Sequence, residues 1–432
     1  MLINIPNSID EYYILVQCAL KGLSKMKKIV ITGMGAVTPI GIGVDEYWNN
    51  LLAGKSGISR ISSFDPSELA VQVAGQVKDL NPADYIPKQI LRQTDPFMQY
   101  AYIAAEEAIK MSGIEIEPTR TGIVMGTALS GIATTAYTQE ALTGAAHKKV
   151  GPRFIPKILG NIAATHIAIM HNIQGPSFTV DTACSSGGDA IYTAAMLIEA
   201  GKAETMVAVG AESALCPIVI YSLANAKALS RNNENAETAS RPFDVSRDGF
   251  VIGEGSGALI LETEEHALAR GANIICELKG CGNTSDAHHI TAPHPEGDGA
   301  IRAMQCALEE ANLEPDQIGY INAHGTATHK GDVVEGIAIN SVFQGKKPYV
   351  SSTKGATGHM MGAGGVTECI TCIKAITEGV IPHTLNLKNV DEEIDLNLVM
   401  GEPLKTNIDY AMSNSLGFGG QNSSVIVGKY QK

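Results

Sequence analysis

The stretch "SFTVDTACSSGGDAIYTAAMLIEA", residues 177–200, decides how the chain is read. Its opening is an apolar, β-branched run that predicts a buried strand. The Ser-Ser-Gly-Gly cluster that follows predicts a tight turn, and the Ala/Leu/Ile pattern beyond it a buried helix. One cysteine, Cys184, stands at the corner. A thiol at a helix N-terminus faces unsatisfied backbone N–H groups and the positive end of the helix dipole, both of which favour the thiolate. Gly187 and Gly188 let other segments come close, and an amide of the turn can donate to a developing oxyanion. A buried cysteine is otherwise only a small hydrophobe; the turn around this one favours a nucleophile.

Outward from this corner the chain alternates strands and helices, the rhythm of a mostly parallel α/β sheet. Residues 26–270 and 271–432 carry matching series of segments. "KIVITGMGAV" pairs with "NIICELKGCGNTSD", each a strand ending in Gly-x-Gly, and "GIVMGTALSG" pairs with "GYINAHGTAT". "FTVDTACSSGGDAIYTAAMLIEA" pairs with "YVSSTKGATGHMMGAGGVTECITCIKAI". An internal duplication is the economical reading, with two related halves packed about a pseudo-twofold axis. Turns after equivalent strands then converge, and such turns host chemistry. Cys184, His324 and His359 all lie on them.

The bulk composition agrees. A chain of 432 residues with 44% hydrophobic residues supports a large core, and 45 glycines with 5% aromatics suit tightly wound α/β layers. The net charge of −13 argues against nucleic acid or an anionic membrane as the main partner, although local basic patches have to be sought separately. Eight cysteines in mostly apolar segments read as reduced and buried, which points to a reducing, cytoplasmic setting. Cys369 and Cys372 form a C-x-x-C, but within a helical apolar pattern they read as packing. The first 25 residues have an acidic front and a short apolar run, unlike a secretory signal, and read as a leader ahead of a start at Met26. No stretch reaches the ~20 apolar residues of a spanning helix.

His324, in "INAHGTATHKGDVVE", follows an apolar strand; His359, in "SSTKGATGHMMGAGG", precedes a buried helix and shares its segment with Lys354. Two histidines at equivalent turns and a cysteine at a third make a Cys/His constellation of the nucleophilic type. A zinc site is disfavoured, because metal ligands usually arrive in short-spaced pairs. No metal and no cofactor is expected.

Taken together, "DTACSSG", "NAHGTAT…GD..E", "STKGATGHMMGAGG" and "NSLGFGG.N" resemble the successive signatures of the β-ketoacyl-acyl-carrier-protein synthases of the condensing enzyme II type. The resemblance runs from Met26 to the C-terminus and implies the thiolase fold: two βαβαβαββ halves in an αβαβα layered core. It implies that Cys184 accepts the acyl chain from an acyl carrier protein. His324 and His359, as neutral imidazoles, then polarise the malonyl thioester during decarboxylation, and the enolate attacks the acyl-Cys184 thioester. The Cys184 and Phe418 amides match the oxyanion hole, and Phe418 also matches the gating aromatic. Lys354 matches the buried lysine, paired with Glu368, with Asp332 and Glu335 as structural support. Thr326 and Thr328 match hydroxyls along the phosphopantetheine arm, Ile132 the floor of the acyl pocket, and Leu416 a position beside the gate. Lys88, Arg92, Lys148, Lys149 and Lys227 fall where the family carries its docking charges for the acidic carrier protein. The family is typically a homodimer, with a heterodimer of related subunits as the other arrangement.

Some wording departs from the fatty-acid pattern. "DTACSSG" is closer to polyketide ketosynthases, Leu416 stands where an aromatic is usual, and Gln421 replaces a common threonine. Elongation in fatty acid biosynthesis is the first expectation, and a freestanding ketosynthase of a specialised pathway the alternative. A non-catalytic partner subunit would lack the thiol. A degradative thiolase would carry a second cysteine near the C-terminus, where "GFGG" holds none.

Overall fold

Every residue of strand β1 (Ile29–Thr38) is buried, as its run of apolar and small side chains requires of a strand covered on both faces. The computed structural model describes residues 27–143 and 150–431. The leader at 1–25 and the docking candidates Lys148 and Lys149 lie outside the described residues.

The first half supplies β1, β2 (Thr121–Gly126), β3 (Ser177–Val180), β4 (Thr205–Glu212) and β5 (Gly255–Thr263). The second supplies β6 (Cys276–Ser285), β7 (Ile318–Asn322), β8 (Tyr349–Ser351), β9 (Tyr410–Leu416) and β10 (Gln421–Gly428). Across the sheet they run β8-β7-β9-β10-β6-β1-β5-β4-β2-β3, so each half has the same internal order. The halves meet where β1 pairs antiparallel with β6, Ile29 opposite Leu278 and Ile31 opposite Cys276.

In each half, the second strand pairs parallel with the third and fourth, and the fifth pairs antiparallel with the fourth and first. The sheet is therefore mixed where the sequence pattern suggested mostly parallel. In the second half the reason is plain: the turn between β9 and β10 is too short to hold a crossover, so those strands form a hairpin.

The Gly-x-Gly pairs explain how the outer helices reach the sheet. A Cβ on Gly33 or Gly35 would lie within 2.0 Å of Ala108 O or 1.9 Å of Ala104 O, both on α1 (Pro96–Ser112). Gly280 and Gly282 meet Ala307 O and Ala303 O of α4 (Asp298–Ala311) in the same way, at 2.4 and 1.9 Å. Helix α2 (Asn161–His171) flanks α1, and α5 (His329–Val342) flanks α4. Between the two sheet halves lie α3 (Ser186–Glu199) and α6 (Gly364–Glu378), which touch each other and strands of both halves. The result is the αβαβα layering.

Cys369 and Cys372 sit on the buried face of α6, and the Cys372 thiol donates to Met412 O at 3.5 Å. No helix among the described residues is long and apolar enough to cross a membrane.

Candidate active site

Strand β3 delivers the nucleophile corner. Ala183 has φ 53°, in the left-handed region that an alanine enters only at a cost of about 1–2 kcal/mol, and a 3₁₀ turn over Ala183–Ser185 then leads into α3. The strain is held by local bonds. The Ser186 hydroxyl accepts from Thr182 N at 2.9 Å and donates to Ala183 O at 2.7 Å, while Ser185 Oγ donates to Asp189 Oδ2 at 3.0 Å. Asn283 Nδ2 reaches the other Asp189 oxygen from β6 at 2.6 Å. Both serines after Cys184 are thus buried and spent on the turn itself.

The same corner recurs in the second half. Met361, with φ 44°, opens a 3₁₀ turn over Met361–Ala363 that leads into α6 as Ala183 leads into α3. The two helix starts interlock: a Cβ on Gly187 would lie 2.8 Å from Gly362 O, and one on Gly365 2.4 Å from Gly188 N. The turn after His359 is thereby packed on the turn that carries Cys184.

His324 stands just after β7, and its turn is shaped by carboxylates of α5. Glu335 accepts from the His324 and Gly325 amides, both at 2.7 Å. Asp332 accepts from Ala327 N at 3.1 Å and Phe243 N at 2.8 Å. Burial pushes Glu335 up to about 7 and Asp332 up to about 6, the amides holding both lower than burial alone would. Both are positioning groups for the turn.

The imidazoles of His324 and His359 meet edge to face with centroids 5.1 Å apart, and Phe250 packs edge-on against His359 at 5.4 Å. His359 Nδ1 accepts the Met361 amide at 3.3 Å, so the neutral ring carries its proton on Nε2. That Nε2, like Nδ1 of His324, is buried and has no partner among the described residues. Burial holds both histidines well below the usual range, and the Lys354 ammonium lowers them further. Lys354 forms a buried ion pair with Glu368. The arrangement therefore offers uncharged imidazoles with free ring nitrogens, suited to receive charge that forms on a reacting oxygen.

The resting state of Cys184 corrects the sequence expectation of a helix-ionised thiolate. The residue is half-buried by surface, but the sulfur lies deep enough that burial pushes it up to about 11. The Phe418 amide, which donates to the sulfur, and the nearby Lys354 charge draw it down only in part. Burial of the thiol outweighs both of these.

Phe418 itself is 42% exposed, on a turn whose Gly419 and Gly420 have φ of 90° and 76°; Gly419 N donates to Ile290 O at 2.8 Å. Leu416 ends β9 half-buried beside it. Thr326 and Thr328 hold their hydroxyls 3.2 Å apart around Ala327, whose carbonyl accepts Gly249 N at 3.1 Å. Ile132 opens the helix Ile132–Thr143 and packs on an apolar cluster that contains Met361 and Phe250, the neighbours of His359. Lys88, Arg92 and Lys227 are exposed, and Lys227 lines a cleft of ≈240 Å³ with Leu229, Arg231 and Asp248. A larger cavity of ≈400 Å³ lies beyond Thr328, between His329, Lys330 and Asp391, and includes none of the reacting groups.

Sequence reasoning passed over Ala183, Asp189, Phe250 and Glu212. The clearest missed signal was Glu212, an acid closing the otherwise apolar, fully buried run "TMVAVGAE".

Comparison with known proteins followed the same lines. Residues 26–267 match the beta-ketoacyl synthase N-terminal domain and residues 275–388 its C-terminal domain. A Staphylococcus aureus (strain COL) protein named 3-oxoacyl-[acyl-carrier-protein] synthase 2 is 41% identical, covering 95% of this chain and 100% of its own length. One of the same name from Vibrio harveyi is 40% identical over 93% of this chain and 99% of its own. Among solved structures, the ishigamide ketosynthase/chain length factor aligns with a TM-score of 0.89 at 32% identity, covering 94% of this chain and 100% of that one.

Proposed function

The chain belongs to the β-ketoacyl synthase family, and from that premise we propose the following course of reaction at its Cys–His–His site. Cys184 Sγ attacks the thioester carbonyl of an acyl chain carried on acyl carrier protein; the carrier thiol leaves with the cysteine proton, and the acyl group stays on sulfur. Malonyl-carrier protein then enters, its carboxylate departs as carbon dioxide, and the electron pair left behind forms an enolate. Its oxygen is received by the uncharged His324 and His359, with the His359 Nε2–H as donor. The enolate carbon attacks the acyl-Cys184 carbonyl, whose oxyanion is held by the Cys184 and Phe418 amides. Collapse expels the cysteine sulfur and yields a 3-oxoacyl chain two carbons longer. The observation that carries this reading is the pair of neutral, unpartnered histidine nitrogens, with the turn that follows His359 packed against the nucleophile corner.

Elongation in fatty acid biosynthesis is the favoured pathway, in keeping with relatives named 3-oxoacyl-[acyl-carrier-protein] synthase 2 that align along essentially their whole length. The polyketide alternative rests in part on the wording around Ser185 and Ser186, both of which are buried and hydrogen-bonded within the turn. Mass spectrometry of the protein after exposure to a panel of acyl-carrier thioesters tests the assignment. The expected result is one acyl mass on the Cys184 peptide; label on another thiol, or none, overturns it.

Acidic carrier protein would dock on Lys88, Arg92 and Lys227, all three exposed. Lys227→Glu is expected to raise the KM for carrier substrates about fivefold, equivalent to ~1 kcal/mol, with the difference shrinking as salt rises. An unchanged KM would return Lys227 to ordinary surface.

A homodimer would join along β3, which ends the sheet. Phe178 on that strand is 39% exposed, and Ile169 and Met170 on α2 are 71% and 40% exposed. A related partner subunit is the alternative occupant of the same edge.

A further inference from the structure

Glu212 is fully buried at the end of β4, and the reaction above gives it no role. Its carboxylate bridges two turns, 127–129 and the one that holds Gly362. Oε2 accepts from Ala128 N at 2.7 Å and from Gly362 N at 3.3 Å; Oε1 accepts from Leu129 N at 3.2 Å and Thr127 Oγ1 at 3.4 Å. Every partner is a donor, so only an acceptor with two free oxygens satisfies the set. Burial pushes the group up to about 7, and the amides keep it from going further.

What the carboxylate holds is the turn that leads to Ile132. Thr127 N donates to Val180 O at 3.3 Å, and Ser186 Oγ contacts Thr127 O at 3.3 Å, so this turn is already bound to the nucleophile corner. Leu129, gripped by Glu212 through its amide, accepts Ile132 N on its carbonyl at 3.2 Å. Ser130, with φ 47°, makes the sharp bend between them. On the far side, Gly362 follows the His359 turn, and a Cβ on Gly362 would lie 2.7 Å from Thr127 Cα. One carboxylate thus fixes the spacing between Ile132 at the pocket floor and the turn beside the reacting histidine.

We propose that Glu212 is the positioning residue that sets acyl-chain length: it holds the 127–129 turn, and through it Ile132, at a fixed distance from Gly362 and the His359 turn. The inference rests on the ketosynthase reading and on Ile132 as the pocket floor. A Glu212→Gln variant turns one acceptor oxygen into a donor facing donors, which loosens one side of the grip without emptying the site. A longer acyl chain, which reaches Ile132, feels that change; a short one stops before it.

The experiment compares kcat/KM for a short and a long saturated acyl-carrier primer in wild type, E212Q, E212D, I132A and the double variant E212Q/I132A. Thermal unfolding of each variant confirms that the folded protein is being assayed. The ratio of long-chain to short-chain kcat/KM is expected to change about tenfold in E212Q and to move in the same direction in E212D. In the I132A background the E212Q effect is expected to vanish, because the two residues act through one turn. Equal losses for both primers in E212Q and E212D, or an E212Q effect that survives unchanged in I132A, overturns the proposal and leaves Glu212 a general brace. Wild-type protein that elongates no primer of any length would instead sink the ketosynthase reading.

Discussion

Cys184→Ala is expected to abolish chain elongation, a loss of ~10⁴-fold or more, while malonyl decarboxylation stays measurable. The two half-reactions use different groups. In the proposed course, elongation needs the sulfur as acyl carrier, whereas decarboxylation needs only a place for the enolate charge, which the unpartnered nitrogens of His324 and His359 would supply from the other half of the molecule. His359→Ala reverses the pattern: acyl transfer to Cys184 continues, and decarboxylation falls by roughly 10²–10³-fold, the usual cost of removing one donor to an oxyanion. Radiolabelled carbon dioxide release, measured beside acyl-enzyme formation, separates the two. Elongation by the alanine variant of Cys184, or undiminished decarboxylation without His359, would refute the division of labour.

Lys354→Ala should be the most damaging substitution to the fold near the site. Lys354 and Glu368 are each only 2% exposed, and removing one leaves the other's charge without a partner in a low-dielectric core. The expected cost is about 3–5 kcal/mol in urea unfolding. Replacing both, as Lys354→Met with Glu368→Leu, should recover most of that stability, because no lone charge remains buried. It should not recover the chemistry. The Lys354 charge is one reason both imidazoles sit below their usual range, so the stable double variant is expected to show them titrating at higher pH by NMR. Full stability in the single variant, or unmoved histidine titrations in the double one, would remove the pair from this role.

The sequence made some of this legible because local chemistry and global architecture coincide. The Gly-x-Gly pairs at Gly33/Gly35 and Gly280/Gly282 repeat because each admits the same helix carbonyls, so the duplication shows in the residues themselves. The "CSSGG" corner announces a strand-to-helix turn for similar reasons. What stayed hidden depends on distance across the fold. Nothing near Cys184 in the chain says how deeply its sulfur is buried, so the helix end suggested a thiolate where burial prevails. Nor does the local sequence show that the serines beside it are engaged by Asp189 and Thr182. Glu212 stood out in its apolar strand, but its partners come from turns more than 80 residues before and 150 residues after it, contacts that no local pattern carries.

Ala183 and Met361 share their unusual backbone at matching places in the two halves, each opening a 3₁₀ turn that leads into a buried helix. In the first copy the next residue is Cys184, whose amide is proposed above to hold the oxyanion of the reacting thioester. In the second it is Gly362, whose amide is already occupied by the Glu212 carboxylate. The protein thus keeps two vestibules for an anion and fills one of them itself. That internal tenant makes the two corners chemically unlike: one amide is held by a carboxylate of the protein itself, and the other stands beside the thiol of Cys184.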